Sequence, residues 1–299
     1  MASSLTSPGL ILASNKAIME AQRGIAFASQ FSTDFSAELQ GEGKTISVPV
    51  FSGDATVYNE DDNDYETTDG SIIPVQVTLD TLVKVTFKLG QSDLLEVNKS
   101  STSRNCGIAG GRAIGRKIEE LIMGKLDSSH AKAQATSFQV TKLGKAIATA
   151  EKNDLDPATL VAILNPDAYG DLLDANANNA AIQGSDIAAA LGAKYGIKAI
   201  LCSAKVSTYS AQAVQKSVGF LVADSAIAIA GRGIEQAVDG LYNEYGVETD
   251  EKSGLPVTSF VHGTPGKNAR FMNTACLLGA KRTLESSNKA PGYIQLVTA

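Results

Sequence analysis

Ser71-Ile-Ile-Pro-Val-Gln-Val-Thr-Leu-Asp80-Thr-Leu-Val-Lys-Val-Thr-Phe-Lys-Leu89 is the stretch that decides the fold. Eight of the nine odd positions from Ile73 to Leu89 are apolar: Ile73, Val75, Val77, Leu79, Val83, Val85, Phe87 and Leu89. Among the even positions between them only Leu82 is strongly apolar. This is strand alternation sustained well beyond an ordinary five or six residues. At its full length such a ribbon spans about 50–60 Å. A compact chain of 299 residues has a radius of gyration of only about 19 Å. The expectation is a ribbon that outreaches its own core, with its apolar face covered by another copy of the same chain.

The acidic segment before it completes a hairpin. From Ser52 to Val83 there are Asp54, Glu60, Asp61, Asp62, Asp64, Glu66, Asp69 and Asp80, with no Lys or Arg. One arm is expected near Ala55 to Tyr58, a loop through Asn59 to Gly70, and the long return arm after it. Thr45 to Phe51 reads as a separate short strand, placed at an edge by Pro49. Residues 1–45, rich in Ser, Ala and Gly with helical patterning from Ile11 to Phe27, read as an arm that needs a surface to lie on.

Beyond the ribbon, Ser101 to Leu126 reads as a helix of about 39 Å, capped by Ser100 or Ser101, with Ile114, Ile118, Leu121, Ile122 and Leu126 in one stripe. It holds Gly107, Gly110, Gly111, Gly115 and Gly124, each costing up to about 1 kcal/mol relative to Ala. Either backbones approach closely there, or the first turns are not helical. Thr141 to Asn153 is a further helix with Leu143, Ile147 and Ala150 on one face. The middle third then reads as a compact α/β layer. Leu160 to Leu164, Ile197 to Cys202 and Phe220 to Ala230 are buried strands, and Asn165-Pro166-Asp167 opens a helix bearing Tyr169, Leu172 and Leu173. Leu241 to Asp250 and Leu255 to Val261 form a strand pair around Gly254, and Ala275 to Ala280 is a last apolar stretch before a polar tail.

Composition excludes several classes. A net charge of −6 and 6% aromatics without tryptophan argue against tight sequence-independent nucleic-acid binding and against a base-stacking platform. Cys106, Cys202 and Cys276 are read as reduced, buried thiols. No apolar run approaches a membrane span, and the first residues lack the basic region of a secretion signal. The run Gly107 to Lys117 lacks phosphate-loop spacing. His262-Gly-Thr-Pro-Gly-Lys267-Asn268 fails the phosphate-loop pattern at Val261 and Asn268, so it reads as a turn between strands. His130 and His262 have no ligand-spaced partner, which argues against zinc. No cofactor, metal site or catalytic constellation is expected, and the protein is not read as an enzyme.

The tip Glu60-Asp61-Asp62-Asn63-Asp64-Tyr65-Glu66 lacks the fixed offsets of a calcium loop. Its expected role is to dock against basic residues of a neighbour, with Arg104, Arg112, Arg116 and Lys117 on the following helix as candidate partners.

The order of these parts resembles the major capsid protein of tailed bacteriophages, an α+β fold called the Johnson or HK-ninety-seven-like fold. Ile73-Pro-Val-Gln-Val-Thr-Leu running into Lys84-Val-Thr-Phe-Lys-Leu resembles the return of that family's E-loop. Leu160 to Tyr169 resembles the strand–helix start of its A-domain, and Gly219 to Ala230 its late section. The resemblance implies an N-terminal arm at 1–45, a P-domain strand at 46–51 and an E-loop at 52–88. It implies P-domain with a spine helix of 100–127 over 89–155, an A-domain over 156–239, P-domain strands over 240–283 and a C-terminal segment of 284–299. It also implies pentamers and hexamers closing an icosahedral virion shell around double-stranded DNA, assembled in the host cytoplasm. A separate scaffolding protein and a portal are the further partners. No Lys lies between Ser52 and Val83, so the E-loop lysine crosslink of some members is expected to be missing. The alternatives are an encapsulin-like nanocompartment shell, a filament or sheath subunit, and a cytosolic α/β enzyme built on residues 156–232.

Overall fold

Leu160–Leu164 is apolar at every position and buried at every position, as expected of a strand covered on both faces. It is β5, the centre from which the body of the molecule is built. The computed structural model describes residues 8–31, 45–52, 71–89, 99–126, 132–134, 143–152, 155–175, 187–208, 210–212, 215–234, 244–263, 270–283 and 292–297.

In chain order the helices are α1 (Pro8–Glu20), α2 (Gln22–Ala28), α3 (Lys99–Met123), α4 (Leu143–Glu151), α5 (Pro166–Ala175) and α6 (Ile187–Tyr195). The strands are β1 (Thr45–Ser52), β2 (Ser71–Thr78), β3 (Thr81–Leu89), β4 (Lys132–Gln134), β5, β6 (Ala199–Cys202), β7 (Ser210–Gln212), β8 (Gln215–Ala223), β9 (Ile227–Arg232), β10 (Glu244–Thr249), β11 (Pro256–Gly263), β12 (Arg270–Arg282) and β13 (Tyr293–Val297).

They form three sheets. A six-stranded sheet runs β4-β13-β8-β5-β6, with β7 on β8. A five-stranded sheet runs β10-β11-β12-β3, with β9 also on β12. The third is the two-stranded ribbon β1-β2. The body sheet is mixed: β5 runs parallel to β6 and antiparallel to β8. At the start of α5, Asn165 Oδ1 accepts the Ala168 N–H at 2.8 Å, while Pro166 occupies the first position, where a missing N–H costs nothing. The β10–β11 hairpin turns at Gly254, whose φ of 65° suits glycine.

The structure decides the question left by the helix glycines. Ala13, Ala17 and Ala21 on α1 and its end are fully buried. A Cβ at Gly107 would meet the Ala13 carbonyl, and one at Gly111 the Ala17 carbonyl. A Cβ at Gly24 would likewise strike the backbone of Gly115. Small residues four apart on two helices thus let their backbones touch. Ser14 Oγ donates to the Gly246 carbonyl at 3.2 Å, fixing the far side of α1 to β10. The arm does find a surface, and the described part of it, 8–31, lies on its own chain.

Several expectations are corrected. The stretch 71–89 is not one ribbon. It divides at Leu79-Asp80, where β2 leaves to pair with β1 and β3 pairs with β12 along Arg270↔Leu89 to Leu278↔Thr81. Thr45–Ser52, read as a separate edge strand, is the outgoing arm of the hairpin. The arm expected at Ala55 to Tyr58, and the tip after it, lie outside the described residues. The long helix begins at Lys99, so Ser100 and Ser101 lie inside its first turn and do not precede it. Phe220 to Ala230 is two strands in two sheets, parted by a single turn at Asp224–Ala226. The tail is not merely polar: Tyr293–Val297 is a fully buried strand between β4 and β8.

Candidate assembly surface

The ribbon is the feature that chain folding alone does not explain. Its register is continuous from Thr45↔Thr78 to Ser52↔Ser71. A two-stranded hairpin is at best marginal in water. Its root is fixed: Val77 is fully buried and Leu79 is 2% exposed, packed with Ala228 and Ala230 of β9 and against Leu277 of β12. A Cβ at Gly279 would strike the Thr78 carbonyl, so β12 passes directly beneath that root. Pro49 stands opposite Pro74. Neither has an N–H to give, so the pair suits only a non-hydrogen-bonded position, where both nitrogens face outward. Both outer edges of the ribbon are therefore interrupted at the same level.

Beyond Leu79 the apolar face of β3 is half-covered by the chain itself. Val83 packs against the main core, to which α3 contributes Ile118 and Ile122, and Phe87 packs against the small cluster of Cys106, Met272, Val261 and Ala13. Leu82, on the other face, is 55% exposed. Its strand ends the five-stranded sheet, with no partner on its outer side among the described residues.

The four candidate basic residues lie along α3. Arg104, Arg112 and Arg116 are exposed at multiples of four, and Lys117 is half-buried. Arg112 Nε pairs with Glu20 Oε2 of α1 at 3.1 Å, and Lys117 Nζ with Glu120 Oε2 at 3.2 Å. Arg116 Nε donates to the Arg112 carbonyl at 3.1 Å. Exposed pairs like these are worth little, of order 0–1 kcal/mol, so they leave the cations able to meet another acid. The acidic tip residues Glu60, Asp61, Asp62, Asp64 and Glu66 lie outside the described residues. An open groove of about 480 Å³ runs where β3 meets α3 and Lys205.

Sequence reasoning missed two buried polar links. Glu119 of α3 is 6% exposed and accepts the Ser203 hydroxyl at 2.6 Å. This ties the long helix to the turn after β6. Asn273 is fully buried on β12. Its Oδ1 accepts the Thr86 hydroxyl at 2.7 Å, and its Nδ2 lies 2.9 Å from His262 Nδ1, which is then the acceptor. His262 stacks on Phe271 at 5.2 Å. Desolvation, and then the charge of Lys84, hold its pKa below the ordinary 6.5. No local pattern marks either link, because each joins residues remote in sequence. The legible signals of the groove are the apolar Leu82 on a polar strand face and the cations Arg116 and Lys117, all of which line it.

Burial pushes the Cys106 thiol up to about 11 and the Cys276 thiol up to about 12. Both are protonated at neutral pH and poor nucleophiles. Among the described residues no three His, Cys, Asp or Glu side chains are placed to hold a metal, and no helix is long and apolar enough to cross a membrane.

No protein-family model matches the sequence, and no curated protein matches it. Solved structures do match. The capsid of Ralstonia phage GP4 is similar at TM-score 0.52 and 12% identity, over 86% of this chain and 84% of that one. A structure from Microbacterium phage Oxtober96 is similar at TM-score 0.50 and 12% identity, over 87% and 88% of the two chains. A virus-like particle from Pyrococcus furiosus gives 0.49 and 11%, over 94% and 98%. The chain has the HK-ninety-seven-like α+β fold of tailed-phage capsid structures.

Proposed function

We propose that this protein is the subunit of a viral shell: identical copies form pentamers and hexamers that close into an icosahedral capsid around double-stranded DNA. The observation that carries this reading is the ribbon β1–β2, a two-stranded sheet rooted by Val77 and Leu79 and paired with no third strand among the described residues. An element that is marginal alone is stabilised by lying on a neighbour. The shared fold with the capsid of Ralstonia phage GP4 supports the same conclusion. In this reading the ribbon with residues 53–70 is the E-loop. Residues 89–155 with α3, and the strands over 240–283, are the P-domain, and residues 156–239 the A-domain, although β9 of that range joins the five-stranded sheet and β4 and β13 from outside it join the six-stranded one. Head-to-tail contacts of this kind close because a fixed rotation is built into each joint. The protein belongs in the virion, after assembly in the host cytoplasm with a separate scaffolding protein and a portal.

Electron microscopy of the full chain, expressed alone and together with the genes beside its own, tests this. Closed particles of uniform size are expected, with nuclease-protected DNA in those made during infection. A monomer under every condition, or open filaments alone, would overturn the shell. Particles carrying enzymes and no DNA would instead indicate a nanocompartment.

A further inference from the structure

We propose that Pro49 and Pro74 form a paired guard on the ribbon, which keeps both of its edges from taking up a strand of another molecule, so that copies of β1–β2 do not pair edge to edge. This goes beyond the shell reading and stands independently of it.

The ribbon has the composition of strands that join others. Thr45-Ile-Ser-Val-Pro-Val-Phe-Ser52 and Ser71-Ile-Ile-Pro-Val-Gln-Val-Thr78 carry no charged residue, and both are rich in β-branched side chains, which favour strands. Uncharged windows of about six or seven such residues stack on copies of themselves unless a proline intervenes. A sheet of two strands has two open edges, and no third strand lies on either among the described residues.

The other protections are missing. Charged side chains, a bulge or a very short strand blunt most sheet edges. Here the pairing runs from Thr45↔Thr78 to Ser52↔Ser71 without a shift of register, over strands of eight residues each. What remains is Pro49 standing opposite Pro74.

Their placement closes both edges at once. Opposed residues of an antiparallel pair alternate between exchanging both hydrogen bonds and turning both groups outward. Two prolines fit only the outward kind, so Ser47↔Gln76 and Phe51↔Ile72, two places to either side, are outward pairs as well. The outer donors of β1 are then Thr45, Ser47 and Phe51, and those of β2 are Ile72, Gln76 and Thr78, with a gap inside each row. A strand arriving at either edge loses a hydrogen bond at that gap and meets a ring carbon where the proton would be. Toward the tip each strand keeps one outward donor, Phe51 or Ile72. Toward the root the Thr78 carbonyl lies against β12, where a Cβ at Gly279 would strike it. The bonds between β1 and β2 themselves use neither proline nitrogen, so the guard leaves the ribbon's own ladder whole.

The test compares the full-length chain with its variants Pro49→Val, Pro74→Val and both together, by sedimentation velocity and thioflavin T fluorescence. Like edges pair about a twofold axis, so each single variant, with one edge opened, is expected to stop at dimers. The double variant has two open edges and should form elongated polymers with severalfold higher thioflavin fluorescence. Thermal melts of the single variants should equal or exceed that of the unaltered chain, since valine suits a strand. Ser47→Val combined with Gln76→Val is the control: it adds apolar side chains at the neighbouring exposed pair, restores no donor, and should behave as the unaltered chain. The proposal is overturned if the double variant sediments like the unaltered chain, or if the control polymerises to the same extent. It is also overturned if the polymers lack the native melting transition, because edge pairing leaves the body folded. Shells are scored separately, as closed particles without thioflavin fluorescence. Shells from the unaltered chain with no polymers from the double variant remove the guard and spare the capsid; polymers from the double variant of a chain that never forms shells remove the capsid and spare the guard.

Discussion

At Gly111 the cost of one methyl group follows from the neighbouring atoms. Alanine there gains up to about 1 kcal/mol of helix propensity. Its Cβ, however, would occupy the space of the Ala17 carbonyl, and overpacking against backbone costs about 1–3 kcal/mol. The second effect wins. Gly111→Ala is expected to lower the melting temperature by a few degrees, whereas Gly170→Ala, with nothing within 4 Å of the new Cβ, should raise it slightly. Calorimetry of both variants decides this, and an unchanged Gly111→Ala would refute the close helix contact. Gly110 is hemmed in on another side, where a Cβ would strike the Thr274 side chain.

His262 gives a pH dependence with a definite sign. Its folded-state pKa is lowered, so the unfolded chain takes up a proton first as the medium is acidified. The contribution of the neutral imidazole to stability is complete above about pH 6.5 and is lost as pH falls through the depressed folded value. Protonated Nδ1 would also confront the Asn273 amide, donor against donor. Urea titrations at pH 7.5 and 5.0 should show a larger loss for the unaltered chain than for His262→Gln. Equal losses would rule out this residue as the cause.

At the scale of elements, the ribbon depends on its root. Leu79→Ala removes a side chain only 2% exposed, at an expected cost of about 2–5 kcal/mol. Hydrogen exchange should quicken in β2 far more than in β11. Uniform quickening would mean that β2 and the five-stranded sheet open as one unit. Legibility in the sequence also varied by element. Alternation gave the strands, and over 75–88 the facing, because a period of two is local information. The break at Leu79-Asp80 was not legible, because it is set by Gly279, two hundred residues on in the chain and touching Thr78. The buried run Leu160–Leu164 needed no partner to be recognised. The passage from β8 to β9 was hidden because apolar residues continue through a turn that changes sheets. The acidic and basic runs were legible as charge; which atoms face each other across copies is a property of the assembly and leaves no periodic trace.

For the whole molecule, the proposed shell predicts that assembly can be separated from folding through the charges of the tip. Reversing Asp61 and Asp62 to Lys should leave the melting temperature of the subunit nearly unchanged and reduce particle yield severalfold on sedimentation. Unchanged yield would remove the role given to the tip. With no Lys from Ser52 to Val83, mature particles should dissociate on a denaturing gel to single chains. Ladders of covalent oligomers would contradict this.

The position of β13 has a consequence for how the two large sheets depend on each other. Its five buried residues, Tyr293–Val297, fill the gap between β4 and β8, and the chain reaches them from β8 only after laying β9 to β12 into the other sheet. Without β13 docked, β8 has an unpaired edge along the middle of the body. The six-stranded sheet is thus stitched shut across the segment that builds the five-stranded one, so a change that loosens either layer reaches the other.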